Sequence, residues 1–118
     1  VKVPKTINYE QALRNTTIFI STVMIDLKQI DKNTIYMHNI KIGADMTTWW
    51  NILKTGIIGY GINSNLAYYR IKKKALSSNK LIAVIGTWKI YGIQKLSFCK
   101  KLFCWLCYIF NAIRRRIC

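Results

Sequence analysis

Residues 55–76 combine three glycines with a basic segment, a pattern that could hold phosphate groups. Gly56, Gly59 and Gly61 stand within six residues, and glycine lets a backbone approach a ligand closely. The polar turn at residues 63–65 could cap a following helix, whose N-terminus would favour an anion. The glycine order G-x-x-G-x-G matches neither the dinucleotide-binding nor the P-loop spacing. We therefore interpret the stretch as a contact for nucleic-acid phosphates rather than as a nucleotide pocket.

A row of cysteines near the end of the sequence is the second candidate for chemistry. Cys99, Cys104 and Cys107 have the spacing of plant-type iron–sulfur sites, with Cys118 as a possible fourth ligand, and zinc is an alternative. On a helix, however, this spacing spreads the thiols over about 140° of the surface. We therefore predict no cofactor and no metal, and interpret the cysteines as buried free thiols. A metal site or a disulfide stays open as an alternative.

Residues for acid–base or nucleophilic catalysis are sparse. His38 is the only histidine, and the four carboxylates, Glu10, Asp26, Asp31 and Asp45, are widely spaced on expected loops. No Ser/His/Asp or Cys/His arrangement can be built from these residues, and paired carboxylates for general acid–base work are absent. We therefore predict that the chain is not an enzyme and takes no small-molecule substrate.

The charge of the chain is distributed unevenly. The formal net charge is +15, from 19 Lys and Arg against 4 Asp and Glu. Residues 46–118 carry 13 Lys and Arg and no acid. Such a half repels itself unless a polyanion neutralises it, and a pI of about 10.0 is typical of proteins that bind nucleic acid. The 52% hydrophobic content excludes a disordered basic tail.

We call residues 56–61, which contain the three glycines, the glycine turn. We expect an RNA-facing surface that runs from this turn to the end of the sequence. Its basic side chains would neutralise phosphates, and arginine suits phosphate geometry best. The residues predicted to bind RNA are Lys54, Gly59, Tyr60, Gly61, Asn63, Ser64, Asn65, Arg70, Lys72, Lys73, Lys74, Lys100, Lys101, Arg114, Arg115 and Arg116.

The elements that would position these residues begin with strands. Alternating and β-branched patterns predict strands over residues 16–25 and 34–42, paired as a hairpin, and a third strand over residues 47–53. The second half of the chain is expected to be more helical. Residues 66–76 read as a helix, residues 81–85 fit either a helix or a strand, and residues 93–98 fit a short strand.

Residues 100–113 are predicted to form a helix that is apolar on nearly all sides. Such a helix must be buried or lie against an apolar surface. Together these elements predict an α/β fold, a small mixed sheet with one or two helices packed on it, in a single domain over residues 1–118. The alternative is an α+β fold with a buried C-terminal helix. The longest charge-free runs, residues 55–69 and 102–113, are too short to span a bilayer, so we expect no membrane contact.

Four short segments occur in the same order as in a known family. They are Asn15-Thr16-Thr17-Ile18, Gly56-Ile57-Ile58-Gly59-Tyr60, Tyr91-Gly92-Ile93-Gln94-Lys95-Leu96 and Asn111-Ala112-Ile113-Arg114-Arg115-Arg116-Ile117. In these segments the chain resembles the universal small-subunit ribosomal protein number eleven family. The resemblance implies a structural constituent of the ribosome that binds ribosomal RNA and neighbouring ribosomal proteins in the small subunit.

The coding bias points to the compartment. Ile, Lys, Asn and Tyr, which have A/T-rich codons, make up 50 of the 118 residues. This bias is typical of organelle genomes, so we expect a mitochondrial ribosomal protein of the matrix. The alternative function is a small accessory subunit of an organellar inner-membrane complex, with residues 81–88 and 102–113 in or on the bilayer.

Overall fold

The structure is a computed structural model that describes residues 2–15, 18–37, 39–40, 43–68, 70 and 80–117. In this part of the chain, helices and a small sheet alternate, which confirms the predicted class of mixed α and β structure. The elements in order are β1 (Thr6–Ile7), α1 (Tyr9–Arg14), two 3-10 helices (Ile20–Thr22 and Lys32–Ile35), α2 (Ala44–Lys54), β2 (Gly59–Tyr60), α3 (Lys80–Ile93) and α4 (Phe98–Ile117).

The six-residue helix α1 is held at both ends by side chains. At its start, Asn8 and Gln11 form a capping box, in which each side chain accepts a hydrogen bond from the other residue's backbone N–H. At its end, three successive carbonyls accept hydrogen bonds from three different helices. Trp50 of α2 donates to Ala12, Tyr91 of α3 donates to Leu13, and Asn111 of α4 donates to Arg14. Helix α1 is therefore the point where the other helices meet.

The hydrophobic core surrounds this junction. Trp50 and Tyr91 are almost fully buried, and their ring centroids lie 4.8 Å apart. Leu13 and Cys104 belong to the same buried cluster, and Tyr91 also donates from its hydroxyl to the Cys104 carbonyl at 3.4 Å. A buried tyrosine or tryptophan needs a partner for its polar atom, and the α1 carbonyls supply these partners.

The glycine turn is explained by backbone packing. Gly56, at φ 98°, follows α2, and its N–H donates to the Leu53 carbonyl at 3.1 Å, as expected of a helix-ending glycine. A Cβ on Gly59 would lie 2.9 Å from Ile7 of β1, and one on Gly61 would lie 2.2 Å from the Pro4 carbonyl oxygen. These glycines therefore let β2 pair closely with the N-terminal segment. The predicted contact of these glycines with phosphates stays a prediction.

The two strands pair antiparallel, with Thr6 opposite Tyr60 and Ile7 opposite Gly59. The predicted strand over residues 16–25 is wrong for the residues that the structure describes, since Ile20–Thr22 is a 3-10 helix. The second predicted strand contains part of another 3-10 helix, Lys32–Ile35, while residues 38, 41 and 42 lie outside the described residues. The expected hairpin is therefore absent from the described part of these segments.

The third predicted strand, over residues 47–53, is the middle of helix α2. Trp49, Trp50 and Leu53 lie three and four residues apart and are buried, so the helical spacing decides the structure of this segment. Two threonines, which favour strands, are accommodated because their hydroxyls donate to the Ala44 carbonyl at 2.9 and 2.8 Å. Such bonds to the preceding turn are open to threonine in a helix.

In the second half of the chain, the segment for which the sequence allowed either a helix or a strand forms a helix. Residues 81–85 belong to α3, and the predicted strand over residues 93–98 is instead the turn between α3 and α4, with Lys95 at φ 55°. Residues 66–68 and 70 are not helical, and the rest of the predicted helix over residues 66–76 lies outside the described residues. The predicted helix over residues 100–113 is confirmed as part of α4.

Helices α3 and α4 pack through aromatic side chains. The rings of Trp88 and Trp105 meet edge to face at 5.1 Å, and the Trp105 indole N–H donates to the Val84 carbonyl at 3.2 Å. Helix α4 is buried on one side only, where Cys104 is 1% exposed, whereas Phe110 is 66% exposed. The expectation of a fully buried C-terminal helix is therefore wrong for this opposite side.

Candidate functional site

Three of the four carboxylates are engaged in local structure. Glu10 of α1 accepts from the Lys100 ammonium at 2.7 Å, in an ion pair that is largely open to solvent. Asp26 and Asp31 each accept a hydrogen bond at 3.0 Å from the backbone N–H two residues later, which is the usual stabilisation of a polar turn. These acids hold the chain's shape and are poorly placed for proton transfer.

Asp45 differs from the other acids. It lies half-buried in the first turn of α2, and its Oδ1 accepts from the Met46 backbone N–H at 2.9 Å. Its Oδ2 has no hydrogen-bond partner among the described residues. An acid at this place complements the helix dipole. This carboxylate differs from Glu10 in having no ion pair among the described residues, and from the exposed Asp26 and Asp31 in being half-buried.

The start of α2 is fixed by close packing. Gly43 precedes the helix at φ 78°, and a Cβ there would lie 2.0 Å from the Ile90 side chain of α3. Only glycine fits both the left-handed backbone and this contact. The Thr47 and Thr48 hydroxyls, fully buried, bind back to the first turn. The position of Asp45 is thus set by rigid neighbours.

The tryptophans of α2, Trp49 and Trp50, lie inside the protein. Both are buried. The Trp49 indole N–H has no hydrogen-bond partner among the described residues, which is uncommon for a buried donor.

Most of the predicted RNA-binding residues around the glycine turn lie on its outside. Lys54 is exposed in the last turn of α2, with its ammonium 6.0 Å from the centre of the Tyr9 ring. Tyr60 is 82% exposed. Asn63, Ser64, Asn65 and Arg70 are exposed and lie outside any helix or strand. The structure thus places these residues on an open surface.

The later basic residues are spread along α4. Lys100 is paired with Glu10, and the Lys101 ammonium lies 4.0 Å above the centre of the Trp88 ring, whereas Arg114 is exposed. Arg115 and Arg116 belong to α4, and their side chains lie outside the described structure, as do Lys72, Lys73 and Lys74.

The cysteines along α4 have different surroundings. Cys99 is exposed, Cys104 is buried and Cys107 is intermediate, and all three are free thiols. Burial raises the pKa of the Cys104 thiol, which disfavours the thiolate that a metal ligand or nucleophile requires. Among the described residues no group of three His, Cys, Asp or Glu side chains could hold a metal ion. Cys118 lies outside the described residues.

Comparison with known proteins gives one named relative. The chain is 40% identical over 118 residues to a protein of Bacillus subtilis (strain 168) named "Putative teichuronic acid biosynthesis glycosyltransferase TuaG". The match covers 99% of this chain and 46% of the relative, so the chain spans about half of that protein's length. No family model matches the chain, and no solved structure matches it.

This relative overturns the functional prediction. It bears the name of an enzyme of polysaccharide synthesis, so the resemblance to the ribosomal family, the structural role in the ribosome and the non-catalytic role were wrong. The same finding sets aside ribosomal RNA and ribosomal proteins as partners, and the subunit of an organellar membrane complex. The short matching segments misled because the glycines among them serve β1–β2 pairing and the end of α2. Mitochondrial localisation and the single domain remain predictions.

Asp45 was not among the predicted site residues because the carboxylates were judged as pairs. The available signal was its place between Gly43 and the tryptophans of α2, in the first turn of a helix rather than on the expected loop.

Proposed function

We propose that this chain is part of a glycosyltransferase that transfers a sugar from a sugar nucleotide to an acidic cell-surface polysaccharide. The observation that carries the proposal is the 40% identity along 99% of the chain with a protein named for glycosyl transfer in teichuronic acid synthesis. Identity of this extent over the whole chain supports shared chemistry far better than four short segments do.

The reaction needs a group that accepts a proton. The hydroxyl oxygen of the acceptor forms a bond to the anomeric carbon of the donor sugar, while the bond from that carbon to the phosphate oxygen breaks. The nucleoside diphosphate leaves with the electron pair, and the hydroxyl proton passes to a base. A positioned carboxylate can serve as this base. Asp45 is the candidate, because it is half-buried in the first turn of α2, its Oδ1 accepts from the Met46 N–H, and it has no ion pair among the described residues.

The charge of the chain supports the choice of substrates. The sugar nucleotide carries phosphates and an acidic polysaccharide carries carboxylates, so both substrates are anions. The 13 Lys and Arg without an acid in residues 46–118 would attract them and raise the rate of encounter. The polyanion that the sequence requires would then be the polysaccharide.

In the same proposal, the antiparallel pair β1–β2 forms one edge of the small mixed sheet that the sequence predicts.

The test is the substitution Asp45→Asn in the full natural protein. With a sugar nucleotide and an acidic polysaccharide acceptor, we expect release of nucleoside diphosphate to fall about 100-fold or more, while donor binding, measured by calorimetry, is retained. The matched control is Asp26→Asn, since Asp26 is an exposed turn residue, and it should keep full activity.

Two results would contradict the proposal at different levels. Full activity of the Asp45→Asn protein would remove Asp45 from the reaction and leave the transferase in place. A wild-type protein that releases no nucleoside diphosphate from any sugar nucleotide, with cell-wall polysaccharide present, would overturn the function itself.

A further inference from the structure

Helix α4 carries an apolar stripe on its outward face. Phe103, Leu106, Phe110 and Ile113 repeat at steps of four and three residues, which places them on one side of the helix. Each is between 52% and 66% exposed. The stripe lies opposite the side that buries Cys104. A contiguous exposed apolar surface of this kind marks an interaction site.

A groove between α3 and α4 extends the stripe. Ile85 and Trp88 of α3 and Leu102 and Trp105 of α4 line a groove of about 310 Å³ with almost wholly apolar walls. Leu102 is one turn from Leu106, so the groove and the stripe join along α4. On the far side of the groove Ile85 is 58% exposed. The outward sides of both helices therefore form one apolar surface.

Positive charges border this surface. Lys89 lines a second apolar groove on α3, which shares Ile85 with the first. Lys95 is exposed in the turn between the helices, and Arg114 is exposed directly after the stripe. The Lys101 ammonium lies over the Trp88 ring. Helices α3 and α4 contain no acidic residue, so an anionic surface would meet no repulsion from these two helices.

We propose that this face of α3 and α4 lies flat on the surface of an anionic membrane. Apolar side chains with basic residues beside them are the combination that binds the boundary between headgroups and acyl chains. Tryptophans such as Trp88 and Trp105 favour this depth. None of the helices in the described ranges has the length and apolar character needed to cross a bilayer, so α4 rests on the membrane. This reverses our expectation of no membrane contact.

Charge decides between a membrane and a second copy of the chain. Two copies that met through this face would bring together two molecules of net charge +15, with basic residues at the contact, and like charges there oppose association. Anionic headgroups instead attract each basic residue near the surface. The anionic bilayer is thus the occupant that satisfies both the apolar area and the charge.

The experiment is co-sedimentation of the 118-residue chain with lipid vesicles. One set contains equal parts of phosphatidylcholine and phosphatidylglycerol, and the other contains phosphatidylcholine alone. We expect partitioning at least about tenfold stronger for the anionic vesicles. Part of this binding should persist in high salt, because the stripe contributes an apolar component that salt does not screen.

Matched variants distinguish binding through the stripe from nonspecific hydrophobic binding. Phe103→Ser, Leu106→Ser and Phe110→Ser together should lower binding to anionic vesicles about tenfold or more. The control changes Met24, Leu27 and Tyr36 to Ser, which are large hydrophobic residues elsewhere that are 55–97% exposed, and should bind as the wild type does. The unfolding temperature of both variants is measured first, and binding is compared for proteins that are folded under the conditions of the assay.

A second variant tests the charge without touching the stripe. Changing Arg114, Arg115 and Arg116 to Gln should abolish most of the preference for anionic over neutral vesicles. The proposal is overturned if the stripe variant and its control bind equally. It is also overturned if the wild-type protein does not bind vesicles and sedimentation velocity shows that it forms a dimer that the stripe variant cannot form.

Discussion

The two faces of helix α4 differ in burial, and the more apolar face is the exposed one. On the inner face, Cys104 is buried and Asn111 donates to the Arg14 carbonyl at the end of α1. On the outer face, Phe103, Leu106 and Phe110 remain exposed. The hydropathy of a residue therefore does not decide which face is buried. The inner face is the one that supplies a polar partner to α1.

The comparison shows how specificity arises in a small basic domain. Apolar burial is non-directional, and it would be served by either face of α4. The hydrogen bonds that Trp50, Tyr91 and Asn111 make to successive α1 carbonyls are directional. Leaving such a buried carbonyl unpaired would be costly. The junction therefore selects one arrangement of the helices, and the outer face of α4 remains available for binding.

The largest expected effect is at the junction. Trp50→Ala removes a ring that is 1% exposed and the hydrogen bond to the Ala12 carbonyl, so the free energy of unfolding should fall by about 3–5 kcal/mol. Urea unfolding followed by circular dichroism measures it. Trp50→Phe is the matched variant, which keeps a ring and should lose less. A loss below about 1 kcal/mol for Trp50→Ala would show that the junction does not organise the core.

A smaller effect with a defined pH dependence is expected for Tyr91→Phe. The change leaves the buried Leu13 carbonyl without its donor, so the free energy of unfolding should fall by about 1–3 kcal/mol near neutral pH. Burial also raises the pKa of the Tyr91 hydroxyl above its ordinary value of 10.0. The folded protein then holds this proton more tightly than the unfolded chain does.

The sign of the pH effect follows from this linkage. The stability tied to the Tyr91 proton is fully present below pH 10.0 and is lost as the pH rises above it, because only the unfolded chain releases the proton. Urea unfolding between about pH 8 and about pH 10.5 should therefore show a steeper alkaline loss for the wild type than for Tyr91→Phe. Burial raises the pKa of Cys104 as well, and that thiol is present in both proteins. Equal slopes for the wild type and Tyr91→Phe would refute the assignment.

The smallest effect belongs to the outer face. Phe110→Ser should change the free energy of unfolding by less than about 0.5 kcal/mol, because surface substitutions rarely cost more. Cys104→Ser is the matched change on the inner face and should cost about 1–3 kcal/mol, since it buries a hydroxyl in an apolar cluster. Both are measured by urea unfolding. Equal losses would mean that the two faces of α4 are not distinct in the folded protein.

The sequence predicts helix α4 well and the first half of the chain poorly, for physical reasons. A long run without Gly or Pro fixes residues 100–113 as helix. In residues 47–53, the threonines and tryptophans favour a strand locally, but the burial of Trp50 against α1 outweighs that preference. The glycine turn was interpreted by composition, whereas contacts distant in sequence, from Gly59 to Ile7 and from Gly61 to Pro4, determine it. Asp45 was expected on a loop, whereas it lies in the first turn of α2.

The three donors at the end of α1 also constrain the order of folding. Helix α1 has six residues, too few to be stable alone. Its closing hydrogen bonds come from residues 38, 78 and 97 positions further along the chain. Contacts of such separation form slowly. During synthesis α1 therefore leaves the ribosome before its partners, and it can be completed only after α4 has been made. Helix α1 therefore precedes α2, α3 and α4 in the chain but receives its last hydrogen bond only from α4.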